Sequence, residues 1–273
     1  MPKDRAADAN AAHAEAVYGH DEACVSESEV PVARQSRPTS TALPGAAAGP
    51  QLVWDLPLRV SHWGLVLTVT GSFVTHYIGS AAFTWHVWCG YSTLTLVAFR
   101  LAWGWIGPRY ARFASFVRGP AAVIAHLRTV GGRGYRRSTG HSPLGAWMIL
   151  LLLALLLAQA LTGLFANDEV TSVGPLAGYV SHATSNRVSS WHEFLSDLIL
   201  GAVALHVAAA VYYWVVLGDN LIGPLVTGYK HELPSGSGIG SQRLVAALVT
   251  LLGAAALLFW IVSRAPEPPD LLF

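Results

Sequence analysis

Five apolar stretches constrain this chain more than any other feature in it. They run roughly from Leu56 to Gly79, Trp85 to Ile106, Leu144 to Ala166, Trp191 to Leu217 and Arg243 to Ser263. Each reaches the roughly 20 residues that a helix needs to cross the hydrocarbon of a bilayer. Inside lipid a chain must satisfy its own peptide groups, and a helix does so within one segment. Only 12% of the 273 residues are charged and 53% are hydrophobic, against about 25% charged in soluble domains. The sequence therefore predicts an all-α integral membrane protein. Trp54, Trp63, Trp85, Trp105, Trp147, Trp191 and Trp214 stand near segment ends, where indole rings anchor a helix at the interface. Trp88 and Trp103 suit either anchoring or helix–helix packing.

Three regions follow from this pattern. Residues 1–50 are rich in Ala, Ser, Pro and charge without apolar periodicity, and read as a disordered tail in the cytoplasm. The apolar core of a secretory signal is missing from it, and its His13 and His20 read as solvated. Residues 51–232 hold the first four spans, and residues 233–273 a linker and the fifth. Between spans two and three lie Arg109, Arg112, Arg118, Arg128, Arg133, Arg136 and Arg137 with no acidic residue, whereas the next loop has Asp168 and Glu169 against Arg187. The positive-inside rule then puts the amino terminus and the arginine loop in the cytoplasm and the carboxyl terminus outside. Within that loop, Ala121 to Leu127 reads as a short helix lying on anionic lipid. Membrane on both flanks excludes a nucleic-acid patch.

Four histidines lie within or at the mouths of these spans, where ionisable groups are functional candidates. His192 and His206 are fourteen residues apart on span four. That is about 21 Å along a helix, with both rings on nearly one face. Tracing the spans up and down, His86 shares the outer level with His192, and His62 the inner level with His206. Each pair joins two helices, as bundle cofactor sites do. Two imidazoles above and below a porphyrin plane give a six-coordinate iron that moves electrons. The sequence thus predicts two haems, with His62, His86, His192 and His206 as metal ligands. Cys24 and Cys89 form no C-x-x-C-H attachment site, so the haems would be non-covalent, hence haem b.

Other polar groups have weaker claims. His76, fourteen residues beyond His62, is an alternative outer ligand to His86 or a propionate partner. Arg100, fourteen residues after His86, reaches the inner level, where a guanidinium can neutralise propionates or snorkel to headgroups. His141 and Tyr135 at the mouth of span three could meet propionate or quinone, or be ordinary interfacial groups. Gln159 on span three, which lacks histidine, is expected to bond a neighbouring helix. Glu193 and Asp197 read as solvated acids at the start of helix four, offsetting its dipole, or as a surface for a partner or protons.

VWDLPLRVSHW, HVWCGYSTLTLVAFRLAWGWIGPRYARF, GHSPLGAWM, LTGLFANDEV, WHEFLSDLILGAVALHVAAAVYY and NLIGPLVTGYK together resemble the prokaryotic cytochrome b561 family, especially b-type cytochrome subunits of nickel–iron hydrogenases. The likeness covers about residues 52 to 230. It implies a four-helix bundle in the bacterial cytoplasmic membrane, binding two b haems at the same four histidines. It also implies electron exchange between membrane quinone and a redox partner, a periplasmic cytochrome or a hydrogenase, as an electron carrier or a subunit of a membrane oxidoreductase. The long tail and the fifth span depart from the core pattern. That span could pack on a partner or a second copy, or serve as an anchor. Two rival functions remain at this point. One is a quinone oxidoreductase acting on a small diffusible species such as superoxide. The other is a non-redox transporter or assembly factor using its histidines for protons or metal.

Overall fold

The computed structural model describes residues 49–130, 135, 137–138, 140–167, 173–231, 233–234 and 236–266. The amino-terminal tail, Arg133, Arg136, Asp168 and Glu169 lie outside the described residues. Five long helices dominate: α1 (Leu56–Ile78), α2 (Phe83–Ile106), α5 (Pro143–Phe165), α6 (His182–Val215) and α8 (Leu244–Ser263). Between them lie the short helices α3 (Phe113–Phe116), α4 (Pro120–Thr129) and α7 (Ile222–Thr227). The expected interfacial helix at Ala121 to Leu127 is α4, begun by Pro120 at its first position. Among the described residues, α5, α6 and α8 are each long and apolar enough to cross a membrane. Gly, Ser, Thr, His and Trp make α1 and α2 less apolar than these three.

Local chemistry sets the helix starts. Asp55 caps α1, its carboxylate accepting from Leu58 N–H at 2.9 Å, with Pro57 inside the first turn. Ser142 and Pro143 begin α5 in the same way. Ser181 caps α6, so that helix starts nine residues before the expected Trp191 and runs for 34 residues. The shift overturns one expectation. Glu193 and Asp197 sit three to four turns inside the helix and do not offset its N-terminal dipole. The polar stretch from His182 to Ser190 is helical because Ser181 caps it, although no apolar periodicity announces it.

Helices α1, α2, α5 and α6 pack around one core of Val97, Leu153, Leu156 and Ile199, ringed by Leu65, Val69, Phe73 and Val203. A second core closes one end of the bundle. There Val53, Trp54, Leu58, Phe99, Trp103 and Ala111 meet Ala247 of α8. Trp54 (9% exposed) and Trp103 (0%) are therefore packing residues, which corrects the anchoring role expected of Trp54. Trp63, Trp85, Trp88, Trp105, Trp147, Trp191 and Trp214 are exposed on the bundle surface. Two strands, β1 (Gln51–Leu52) and β2 (Tyr229–Lys230), pair antiparallel across the same end, Gln51 opposite Lys230. This end also carries the described arginines after α2, and is called the basic end below; the opposite one is the far end.

Helix α8 is fastened at both ends. Arg243 donates to the Ile106 carbonyl at 2.7 Å at the basic end. Tyr179 donates to the Arg264 carbonyl at 2.8 Å at the far end. It therefore runs the full height of the bundle, antiparallel to α2.

Candidate functional site

The four expected histidines meet in two pairs. Near the basic end the His62 and His206 rings have centroids 6.4 Å apart. Near the far end His86 and His192 stand 6.3 Å apart. A metal–imidazole bond of about 2 Å, plus roughly 1 Å from each nitrogen to its ring centre, sets trans imidazoles on one metal about 6 Å apart. Both pairs have that spacing. The two levels are separated by fourteen residues of α6, about 21 Å.

The far-end pair opens into a cavity of about 530 Å³ lined by His76, His86, Gly90, Gln159, Gly163 and His192 among others. That volume lies in the ordinary range of cofactor sites. Gly90, one turn after His86, has nothing within 4 Å of where a Cβ would stand, so the wall is flat beside that ring. At the basic-end level His62 Nδ1 is buried without a partner. Facing imidazoles, a flat-walled cavity and a buried, unsatisfied ring nitrogen fit haem.

The far-end rings are held by their neighbours. His86 Nδ1 donates to the Ser72 carbonyl on α1 at 3.0 Å, and His192 Nδ1 to the Gln159 carbonyl on α5 at 3.0 Å. A carbonyl only accepts, so each Nδ1 carries the proton and each Nε2 presents its lone pair. Thr75 Oγ1 lies 3.3 Å from His86 Nδ1 and Thr162 Oγ1 lies 3.1 Å from His192 Nδ1. Both hydroxyl protons go to main-chain carbonyls, Gly71 at 2.7 Å and Gln159 at 2.9 Å, so the threonines act as second acceptors for the rings. Gly163 permits the approach of His192: a Cβ there would stand 2.9 Å from its Cε1. The Gln159 side-chain Nε2 lies 3.1 Å from His192 Nε2, and its Oε1 is buried without a partner. Helix α5 thus bonds its neighbour through Gln159, as expected, and holds a ring it does not itself supply.

The remaining candidates fall in different places. His76 lines the far-end cavity, its ring 6.4 Å from that of His86, so three imidazoles cluster there. Glu193 and Asp197 line the same cavity. Arg100 is buried, 6% exposed, donating to the Ala111 carbonyl at 3.2 Å with its guanidinium over the Phe113 ring. It does not snorkel, because the loop after α2 folds over it. His141 lies between the rings of Trp54 and Phe116, at 4.5 and 4.3 Å. Tyr135 donates to buried Asp219 at 2.7 Å, and burial and that carboxylate together push its hydroxyl pKa up. Asp219 also faces Lys230 at 3.7 Å.

Residues 53–228 match the family described as prokaryotic cytochrome b561. The chain belongs to the prokaryotic cytochrome b561 family. It is a b-type haem membrane protein of electron transfer, and its two histidine pairs lie within the matched region. A comparison with curated proteins finds no significant match.

Sequence reasoning reached the four paired histidines but missed Ser72, Thr75, Thr162, Gly163 and Asp219. The sequence does carry a trace of the first three. A threonine three residues beyond a residue whose carbonyl accepts from a ring recurs on α1 and α5, at Ser72–Thr75 and Gln159–Thr162.

Proposed function

We propose that this cytochrome is a di-haem electron carrier that connects membrane quinone with a redox partner protein, a cytochrome or hydrogenase-like enzyme. His62 and His206 hold one haem b, and His86 and His192 the other. The observation that carries this reading is the double pairing at 6.4 and 6.3 Å, two levels apart on α6. Haem held by two histidines would supply a reversible one-electron centre that binds oxygen poorly.

The residues do the rest. Nε2 lone pairs ligate, while Ser72 and Gln159 carbonyls fix the far-end rings in the required tautomer. Arg100 sets a buried cation at the basic-end level, where it offsets propionate charge. Leu, Val and Ile between the levels exclude water. Helices α1, α2, α5, α6 and α8 all cross the cytoplasmic membrane of a bacterium. The basic end faces the cytoplasm, by the positive-inside rule. Residues 51–232 form the cofactor domain, with residues 1–50 a cytoplasmic tail and 233–273 a linker and added span.

Purified protein is expected to contain two non-covalent, low-spin haems per chain by pyridine haemochrome assay and visible spectrum. His206→Ala should lose one of them and keep the other. One haem or none in well-folded protein would overturn the reading.

A further inference from the structure

The two levels differ in what lies behind the rings. At the far end both Nδ1–H groups point at main-chain carbonyls, each with a threonine oxygen as second acceptor. At the basic end His62 Nδ1 is buried with no acceptor. His206 has no hydrogen bond to its ring among the described residues. An acceptor behind an imidazole draws the Nδ1 proton outward and pushes electron density onto Nε2, making it a more basic ligand. A more basic ligand favours the oxidised, more positive iron and lowers its reduction potential.

Fixed charge acts in the same direction. Glu193 and Asp197 line the far-end cavity and favour the oxidised state there. The basic-end level has buried Arg100, which favours the reduced state, although buried Asp55 offsets part of that cation.

We propose that the carbonyl–threonine clamps at Ser72/Thr75 and Gln159/Thr162 make the far-end centre the lower in potential of the two. This rests on the di-haem reading above. Thr75 and Thr162 are positioning residues that act through the histidines and touch no substrate.

The test is an equilibrium redox titration of the purified, haem-loaded full chain, followed at the haem absorption bands. Two separate waves are expected, the more positive one missing in His206→Ala. In Thr162→Val and Thr75→Val the more negative wave should move upward while the more positive one stays in place. Thr162→Ser, which keeps the hydroxyl, should restore the original value. If His206→Ala fails to fold, the threonine variants still assign the waves. A single wave from two haems, an unmoved lower wave, or a shift in the upper wave would overturn the proposal. Fewer than two haems per chain would instead overturn the di-haem reading itself.

Discussion

Asp55 does two jobs at once. Its carboxylate caps α1 through Leu58 N–H and accepts the Trp103 indole N–H at 3.0 Å, while only 1% of the residue is exposed. Burial pushes its pKa up, against those two hydrogen bonds and the Arg100 charge, which pull it down. Asp55→Ala removes a cap worth about 1 kcal/mol and strands a buried indole donor at a further 1–3 kcal/mol or so. A loss of about 2–4 kcal/mol is expected in detergent unfolding. Asp55→Asn keeps an accepting oxygen and should recover most of it; equal losses in both variants would contradict this account. At this scale the sequence spoke unevenly. The four paired histidines were legible because an imidazole in an apolar run stands out and a fourteen-residue spacing fixes its level. Asp55 and Thr162 were not, because what they touch comes from another helix and no local pattern encodes that.

Among the elements, the entry to α5 is the most sensitive to acid. His141, just before that helix, is enclosed by Trp54 and Phe116. Burial, with a smaller contribution from the Arg100 charge, pushes its imidazole down to about 3. The unfolded chain protonates this group near its ordinary 6.5, while the folded protein keeps it neutral. Below 6.5 the unfolded state therefore binds more protons, so this contribution is complete above about 6.5 and is lost progressively as pH falls toward 3. The unfolding temperature should drop between pH 7 and pH 5, and His141→Phe should flatten that slope. An unchanged slope would mean that the ring is protonated in the folded state. The element boundaries show what periodicity can and cannot read. Helices α1, α2, α5 and α8 start and stop within two residues of the apolar stretches. Helix α6 begins nine residues early because Ser181 caps a polar stretch whose helical state no hydrophobic pattern marks.

For the molecule as a whole, handedness in the membrane follows from charge. The described arginines after α2, together with Arg59 and Arg243, belong to the basic end. If that end faces the cytoplasm, a reporter fused after Phe273 lies outside. Alkaline phosphatase fused there should be active in cells, and a fluorescent protein exported unfolded to the same place should be dark. The reverse pattern would invert the topology. The overall fold was readable because hydrocarbon admits few solutions and five apolar stretches of bilayer length leave little choice. The asymmetry between the two histidine levels was not readable, since it resides in main-chain carbonyls that every residue possesses.

Helix α6 has 34 residues and α8 only 20, about 51 Å against 30 Å. The extra length does not lift α6 clear of its neighbours: Ser185 in its first turn donates to the Phe165 carbonyl at the end of α5, and Tyr179, just before its cap, donates to the Arg264 carbonyl at the end of α8. His192 sits ten residues below the start of α6, roughly 15 Å. The capped polar turns ahead of that ring therefore set how far below the far end of the bundle it lies, a depth written into the length of one helix.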